Sequence, residues 1–362
     1  MLKLKRLLSE VESKQLDAVA VFSPSNVLYL TSSDAPSAVL VFRSGEVISL
    51  APRLEYLRAL EEVSVGEVYT FSRVGELSEY EKAIPGDVYE AIAAVVRERG
   101  ARRVGVAGAS LETRQKLAEK LGVELTDFSK ELQRLRRVKD EEELKVMRNA
   151  VALAEEAMRL AIDSLERGVT ELEVLARVLS FLARRGSGLP FTPIIAFGDH
   201  SAHPHAKPQG RALREGDLVK IDLGARVDGY CSDITRTLVF GKPSPKQERL
   251  LRAVRRAQEA AIEAVRSGAP AKDVYGKAYS ALKEEGLSAY FNHGLGHGVG
   301  VDIHEPPALN AESEEFLLAG DVVTIEPGVY LAGYGGVRIE DMVLVLEDGH
   351  ECLTHFAKDP VI

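Results

Sequence analysis

The stretch from Asp217 to Phe240 reads DLVKIDLGARVDGYCSDITRTLVF and decides the fold of the region around it. Two alternating apolar runs, 218–223 and 234–240, flank the pair Asp228-Gly229. This pair favours the tight turn that joins two antiparallel strands. We therefore predict a β-hairpin here.

Each arm of the predicted hairpin carries one aspartate next to apolar strand residues. Asp222 lies between Ile221 and Leu223, and Asp233 precedes Ile234. The hairpin places the two carboxylates roughly opposite each other, with no Lys or Arg at hairpin range. Two facing anions at low dielectric repel, so either one is protonated or a cation, most simply a metal ion, lies between them. On the hairpin alone, an edge-facing turn residue (Asp222) and a strand-entry cap (Asp233) explain the pattern equally well.

Length and composition limit the architecture and the class of partner. A chain of 362 residues exceeds the roughly 250–300 residues that one core usually serves, so we expect two domains. A hydrophobic fraction of 45% with 28% charged residues is typical of a globular protein. The net charge of −9 argues against binding nucleic acid through its phosphates.

The N-terminus and the cysteine content bear on location. Ser9, Glu10 and Glu12 interrupt the apolar residues at the start, so we expect no signal peptide, and no later apolar run is long enough to span a bilayer. The only cysteines are Cys231 and Cys352, so a disulfide framework is not needed. We expect a cytoplasmic protein with neither a nucleic-acid nor a membrane partner.

Residues 1–127 are predicted to form a small α/β domain. Periodicity places helices at 2–14, 53–61 and 87–99 and strands at 17–22, 38–42, 46–50 and 104–107. This half does not concentrate histidines, cysteines or paired carboxylates. Asn26 and Tyr29 fit turn or packing roles better than contact with a ligand.

Residues 128–362 are predicted to form the second domain. Capping signals open helices after Asp140, Thr170 and Ser244, the first of them reaching Gly168, and a further helix spans about 271–285. The order helix, helix, hairpin, helix, helix, β-rich end is not the alternation of a parallel sheet. It predicts an α+β domain whose antiparallel sheet has helices on one side, and it hints at an internal duplication.

A glycine-rich segment in this domain collects histidines. Residues 291–305 read FNHGLGHGVGVDIHE and contain His293, His297 and His304. The glycines disfavour a helix, so these are predicted to be loop or strand histidines that face a cavity. A lone histidine is usually structural, but three in one segment indicate a site.

A second hairpin is predicted at 321–346, with its turn at 332–336. Its spacing places Glu326 and Glu340 opposite each other on paired strands. One buried acidic pair can occur without a metal ion, for example as part of an unusual salt bridge. Two pairs and a histidine segment in one domain indicate bound cations.

Counting charge indicates two divalent ions. Asp222, Asp233, Glu326 and Glu340 supply four negative charges, and His297 offers a neutral nitrogen. Oxygen ligands with one imidazole suit Mn²⁺, Co²⁺, Fe²⁺ or Zn²⁺, and the lack of thiolates argues against a purely structural zinc. Two ions that share carboxylates hold and ionise a water molecule, which is the nucleophile of metal-assisted hydrolysis.

The motifs IDLGARVDGYCSDITRT, HGLGHGVGVDIHE, IEPGVY and GVRIED, in this order, resemble those of the pita-bread metallopeptidases. The branch they resemble is that of prolidase and aminopeptidase P. The resemblance implies an α+β pita-bread (creatinase/aminopeptidase) domain preceded by a smaller α/β creatinase-type domain. It further implies two divalent ions, most simply Mn²⁺ or Co²⁺, and a homodimer in which the N-terminal domain contributes to the partner's cleft.

The same resemblance implies roles for individual residues. Asp222 would hold one metal, Asp233 and Glu340 would bridge both, and His297 and Glu326 would complete the second. Glu326 would also be the base that moves a proton from the bridging water to the leaving amine.

Three more histidines and an arginine match positions around the substrate. His205, in SAHPHAKP, would lie near the substrate, and His293 and His304 would orient the scissile peptide and steady its tetrahedral intermediate. Arg338 matches an arginine behind the ligands. The neighbouring His200 and His203 are interpreted as surface loop residues.

The implied activity is hydrolysis of Xaa-Pro bonds. A tertiary Xaa-Pro amide has no N–H, so apolar packing around the proline ring can select it, and Tyr330 fits such a wall and the core equally well. Many prolidases have an arginine where this chain has Ala308, so an aminopeptidase P acting on longer peptides is an alternative to an Xaa-Pro dipeptidase. A peptide-binding homologue without activity fits less well, because such relatives generally lose ligands that this chain retains.

Overall fold

A computed structural model describes residues 2–73, 75–76 and 78–358 of the chain. The protein folds as two compact units that divide between Arg136 and Arg137. The domain boundary predicted after Asp127 lies earlier in the chain than this division. The helix that follows it belongs to the first unit, where the Tyr29 hydroxyl donates to the Leu135 carbonyl at 3.2 Å. In the described part of the chain, no helix combines the length and the apolar character needed to cross a membrane.

The first unit is a mixed sheet with helices. Its elements are α1 (Leu2–Ser13), β1 (Ala18–Val21), α2 (Pro24–Thr31), β2 (Ala38–Phe42), β3 (Val47–Pro52), α3 (Tyr56–Glu62), β4 (Glu67–Ser72), β5 (Ala83–Pro85), α4 (Val88–Glu98), β6 (Val104–Ala107), α5 (Leu111–Leu121), β7 (Leu125–Asp127) and α6 (Ser129–Arg137). The strand order is β5-β4-β3-β2-β1-β6-β7, and only the β1–β2 and β2–β3 pairs are antiparallel. Asn26 and Tyr29 are buried in α2, in agreement with packing roles.

The second unit contains two helix pairs and two larger sheets. Its elements are α7 (Glu141–Asp163), α8 (Glu171–Arg184), β8 (Ile194–Phe197), β9 (Leu218–Leu223), β10 (Arg226–Val227), β11 (Tyr230–Cys231), β12 (Ile234–Val239), α9 (Pro245–Ile262), α10 (Ala271–Glu284), β13 (Gly296–Gly298), β14 (Glu305–Leu309), β15 (Val322–Ile325), β16 (Gly328–Leu331), β17 (Gly335–Arg338), β18 (Asp341–Leu346) and β19 (Gly349–Cys352). The larger sheets have the orders β12-β9-β8 and β14-β13-β15-β18-β19, and all their described pairs are antiparallel.

Each helix pair covers its own sheet. Apolar residues of α7 and α8 pack with those of β8, β9 and β12 in one core, and apolar residues of α9 and α10 pack with those of β15 and β18 in another. The predicted α+β class is confirmed. The pairing of one helix pair with each sheet accords with the hinted duplication.

The helix starts are confirmed, and one helix end is wrong. Asp140, Thr170 and Ser244 each form the capping box predicted from their sequence. The first of these helices ends at Asp163 rather than at Gly168. The backbone bonds tighten there, because the Ser164 N–H also donates to the Ala161 carbonyl at 3.2 Å and the Leu165 N–H donates to the Ile162 carbonyl at 3.0 Å.

Candidate metal centre

The first hairpin forms with the predicted turn. Asp228 and Gly229 have φ angles of 45° and 85°, as the two central residues of a tight hairpin turn require. The ladder pairs Asp222 with Thr235. Asp233 therefore lies diagonally across from Asp222, two residues from the directly opposite position.

The expectation that no cation neighbours these aspartates is wrong. Arg338, in β17, donates from Nη2 to Asp222 Oδ2. Lys220 also lies two residues before Asp222 in β9 and is fully buried. Burial, with Arg338 nearby, lowers the pKa of the Lys220 ammonium to about 6.

The second hairpin has the predicted register. Gly328 pairs with Arg338 in one ladder and Ile325 with Asp341 in the next, so Glu326 and Glu340 share a register position between the two ladders. The main-chain N–H of Glu340 donates to the Thr235 carbonyl at 3.1 Å and so joins this hairpin to the first.

His297 enters the same region from β13, a strand that needs its glycines. A Cβ atom on Gly296 would lie 1.9 Å from the Thr324 carbonyl oxygen, and one on Gly298 would lie 2.2 Å from that of Pro306. These approaches are too close for any side chain, so glycine allows the neighbouring main chain to pack against both sides of His297. The prediction of a strand or loop histidine is confirmed.

The proposed ligands converge on one cavity of about 680 Å³. It is lined by all five of them: Asp222, Asp233, His297, Glu326 and Glu340. Ligand atoms of Asp233, His297 and Glu340 lie within 4.8 Å of one another. His297 Nε2 is 3.5 Å from Glu326 Oε1 and 3.8 Å from Asp233 Oδ2.

Burial makes this concentration of charge unfavourable in the absence of a cation. Loss of water, reinforced by Glu340 and Asp222, raises the pKa of Asp233 well above its ordinary value. Burial, reinforced by Glu326 and Asp222, does the same to the pKa of Glu340. Burial also raises the pKa of Glu326 to about 7, although Arg338 opposes the shift. Three carboxyl groups at one place thus favour their protonated forms unless a cation binds.

The donor atoms fit divalent metal ions. The buried atoms Asp222 Oδ1 and Asp233 Oδ1 have no hydrogen-bond partner among the described residues. His297 Nδ1 lies 3.1 Å from the Gly298 carbonyl, to which it donates, so Nε2 carries a lone pair. Burial lowers the pKa of His297 to about 4, which keeps the ring neutral. A neutral nitrogen lone pair facing carboxylate oxygens is repulsive unless a cation lies between them.

Two threonines that sequence reasoning missed contact the proposed ligands. The Thr235 hydroxyl donates to Glu340 Oε2 at 2.6 Å and the Thr324 hydroxyl donates to Glu326 Oε1 at 3.4 Å. Such contacts fix the orientation of a ligating carboxylate. Their positions in the sequence could have identified them, because Thr235 is two residues from Asp233 and Thr324 is two residues from Glu326.

The predicted substrate histidines are divided between two cavities. His205 and His304 line the cavity of the ligands, and His205 also lines a smaller one of about 210 Å³ with His293. The ring of His304 meets that of His297 edge-on, with 4.3 Å between centroids. Burial lowers the pKa of His293 to about 4, so this ring is neutral as well.

His293 is held by Tyr330. Arg338 Nη1 donates to Tyr330 Oη at 2.8 Å, and the Tyr330 hydroxyl in turn donates to His293 Nε2 at 3.0 Å. His293 Nδ1 lies 2.6 Å from the Gly294 carbonyl and donates to it. Tyr330 is buried and is not among the residues that line the larger cavity, so the core role fits it better than a substrate wall.

His200 is not a surface loop residue. Its Nδ1 lies 2.9 Å from both carboxylate oxygens of Glu171, which is fully buried at the start of α8. Glu171 also accepts hydrogen bonds from the main-chain N–H groups of Phe197 and Gln209. The pair is therefore structural. His203 is exposed, in agreement with the prediction for it.

Comparison with known proteins identifies the family of the chain. The profile of metallopeptidase family M24 matches residues 145–347, and that of the creatinase/prolidase N-terminal domain matches residues 3–138. The chain is 28% identical to an Xaa-Pro dipeptidase from Bacillus anthracis, over 99% of this chain and 98% of that one, with a TM-score of 0.88. It is 34% identical to the prolidase from Pyrococcus furiosus, over 97% and 99%, with a TM-score of 0.82. It is 26% identical to an X-Pro aminopeptidase from Thermotoga maritima, over 97% and 99%, with a TM-score of 0.86.

Proposed function

Because the chain belongs to metallopeptidase family M24, we propose that it uses two divalent metal ions to hydrolyse the peptide bond that precedes a proline residue. The observation that carries this proposal is the convergence of five ligand side chains, two of which have buried carboxylate oxygens without a hydrogen-bond partner in the described structure. The proline preference is supported by the solved relatives, which include prolidases and an X-Pro aminopeptidase.

We assign the ligands as the resemblance implies. Asp222, Asp233, His297, Glu326 and Glu340 would hold the two ions, with Asp233 and Glu340 proposed to be shared between them. Four carboxylates and one imidazole suit Mn²⁺ or Co²⁺ best, with Zn²⁺ or Fe²⁺ as alternatives. When bound, the ions polarise the scissile carbonyl and ionise a water molecule.

The protein's own residues then have separate tasks. Glu326 takes a proton at its carboxylate and passes it to the leaving nitrogen, a task supported by its place in the cavity wall between Thr324 and Arg338. His304, which lines the same cavity, and His293, which lines the smaller one, orient the scissile peptide and steady its tetrahedral intermediate, and His205, which lines both, lies near the substrate. Arg338 donates hydrogen bonds to Tyr330 and Asp222 and so holds the Asp222 carboxylate in a fixed orientation.

Apolar residues in the lining of the cavity supply the proline selectivity. Phe191, Pro193, Ile194 and Leu175 line it together with the ligands. A proline ring packs on such a surface, and its nitrogen requires no acceptor because it carries no hydrogen.

A second activity, cleavage of longer peptides as by an aminopeptidase P, is favoured by one observation. Ala308, in β14 opposite His297, is exposed and has no charge to hold the terminal carboxylate of a dipeptide. Lys207 is the one exposed lysine or arginine among the cavity-lining residues that the structure describes. It is the cation available to a carboxylate there.

The decisive experiment combines metal analysis with two substrates. Purified protein should contain up to two divalent ions per chain and should cleave Ala-Pro only in their presence. A chelator should abolish cleavage, and Mn²⁺ or Co²⁺ should restore it. Faster cleavage of Ala-Pro than of Ala-Pro-Ala identifies a dipeptidase, and the reverse identifies an aminopeptidase P. Cleavage that survives complete removal of metal would refute the proposal.

Assembly and location complete the proposal. A homodimer is supported by the family resemblance and by Leu54 and Leu57, which are 92% and 61% exposed in the first unit. Light scattering of the eluting protein measures the mass directly. A cytoplasmic location is supported by the two cysteines, neither of which forms a disulfide.

A further inference from the structure

Lys220 occupies a position that sheets normally give to apolar residues. It lies at the centre of β9, paired with Ala196 on one side and Thr237 on the other, and its exposure is 0%. No carboxylate of the described residues forms an ion pair with it within 4.0 Å. Burying an ammonium without an anion is costly, and a methionine of similar length would avoid that cost.

The Lys220 amino group donates to main-chain carbonyls of the segment before His205. Nζ lies 2.5 Å from the His203 carbonyl oxygen and 3.2 Å from that of Pro204. The Nζ atom also lies over the face of the Tyr330 ring, 5.1 Å from the ring centroid. The carbonyls and the ring thus provide the partners that replace water.

The Pro204 carbonyl also accepts a hydrogen bond from the side of the proposed ligands. Arg338 Nη1 donates to the same oxygen at 3.1 Å, while Nη2 of this guanidinium donates to Asp222. One carbonyl is therefore shared by Lys220 and Arg338. The position of the segment before His205 is coupled to that of a proposed metal ligand.

The segment is also anchored at both sides of this contact. Upstream, the Gly336 N–H donates to Ser201 Oγ at 2.9 Å. Downstream, the Gln209 N–H donates to Glu171 Oε2 at 2.8 Å. His205 lies between these anchors with an exposed side chain, so the contacts of Lys220 and Arg338 with the carbonyls of His203 and Pro204 are the side-chain contacts nearest to it.

We propose that Lys220 is a positioning residue, which holds the His203-Pro204 main chain and thereby sets the place of His205 in the cavity. The proposal rests on the proposed function for the role of His205, but not for the position of the segment. Lys220 is not among the described residues that line either cavity. Its effect on turnover therefore passes through His205.

A double-mutant cycle tests this path. K220M removes the donors at nearly constant volume, and H205A removes the side chain that they are proposed to place. We expect each single variant to lower kcat/KM on Ala-Pro about ten- to hundredfold, and K220M/H205A to be no worse than the poorer single variant. Metal content should remain that of the wild type in all three, because no ligand is changed. Multiplicative losses, or loss of metal in K220M, would overturn the proposal.

Two further variants complete the design. K246M is the matched control, because Lys246 also lies over a tyrosine ring, that of Tyr334 at 3.7 Å, but outside the cavity lining. It should leave kcat/KM unchanged. K220Q keeps an N–H donor on a shorter chain and should lie between wild type and K220M. If K220M does not fold, a K220Q variant with wild-type kcat/KM would overturn the proposal by itself.

A crystal structure of K220M, or of K220Q, separates this proposal from the proposed function. We expect residues 203–206 to be displaced while the five ligand side chains remain in place. An undisplaced segment overturns the positioning role, even if the enzyme cleaves Ala-Pro. A displaced segment in a protein that cleaves no Xaa-Pro peptide would support the positioning role and refute only the proposed function.

Discussion

Replacing Glu326 by glutamine should stabilise the metal-free protein and destabilise the metal-loaded one. Burial, reinforced by Asp222, raises the pKa of Glu326 from its ordinary 4.5 to about 7. The folded protein therefore retains this proton at pH values where the unfolded chain has released it. Since the native state binds more protons across that window, the contribution of Glu326 to stability falls as pH rises from about 4.5 to about 7.

The size of the effect follows from the pKa shift. Each unit of pKa corresponds to about 1.4 kcal/mol, so an ionised Glu326 costs the metal-free fold about 3 kcal/mol once the pH exceeds its folded pKa. The Glu326 side chain is 17% exposed, so solvent screens this cost only weakly. Glutamine has nearly the same shape and no charge. The metal-free E326Q protein should therefore be about 3 kcal/mol more stable than wild type at pH 8, and about equal to it at pH 4.5.

Thermal unfolding of chelator-treated protein measures this difference. At about 2–4 °C per kcal/mol for a unit of this size, E326Q should melt about 6–12 °C above wild type at pH 8. Comparing E326Q with the wild type at each pH removes the contribution of His293 and His297 from the difference in stability. Their pKa values are lowered to about 4, so they make stability rise with pH between about 4 and 6.5 in both proteins. E347Q, at an exposed glutamate of the same unit, is the matched control and should not shift the midpoint.

Adding Mn²⁺ should reverse the order of the two midpoints. The wild type gains the binding energy of a complete ligand set, whereas E326Q has lost one anionic ligand. The reasoning is refuted if metal-free E326Q is no more stable than wild type at pH 8, because the buried charge would then cost nothing.

The remaining predictions concern turnover, metal content and chelation. E326Q should fold and lose nearly all Xaa-Pro cleavage because the proposed base is gone, and a normal rate of Ala-Pro hydrolysis would remove Glu326 from that role. D233A should lose metal and activity together because Asp233 is proposed to bridge both ions, and elemental analysis showing a full complement of metal would contradict the bridge. Stripping metal from the wild type at pH 8 should lower its thermal midpoint by the equivalent of about 5 kcal/mol if both ions are present at 100 times Kd, and an unchanged midpoint in calorimetry would argue against stabilisation of the clustered carboxylates by metal.

Local sequence patterns predicted the acidic pairs because β-ladders obey a simple register. Glu326 and Glu340 are equidistant from Gly333, and the structure keeps that register through both ladders of the second hairpin. The first hairpin turns around Asp228 and Gly229 together, so the residue opposite Asp222 is Thr235 and not Asp233. A shift of the turn centre by one residue moves the opposite position by two.

Contacts between distant parts of the chain could not be read from such patterns. The Arg338 contact with Asp222 joins residues 116 positions apart, and it brings to Asp222 a cation from outside the first hairpin. The Tyr29 contact with Leu135 spans 106 positions and assigns α6 to the first unit. Periodicity records which face of an element is apolar, but not which distant element covers it.

The arrangement of charge explains why the site is built to exchange protons for metal. Arg338 is the one arginine that the described structure places among the proposed ligands, and its ion pair with Asp222 offsets one negative charge of four. The carboxyl groups of Asp233, Glu326 and Glu340 have raised pKa values, so in the absence of metal they favour protons. Ligation requires the deprotonated forms, so metal binding must release those protons and must strengthen as pH rises. The burial that makes the empty cluster costly therefore also couples the binding of divalent cations to the release of protons.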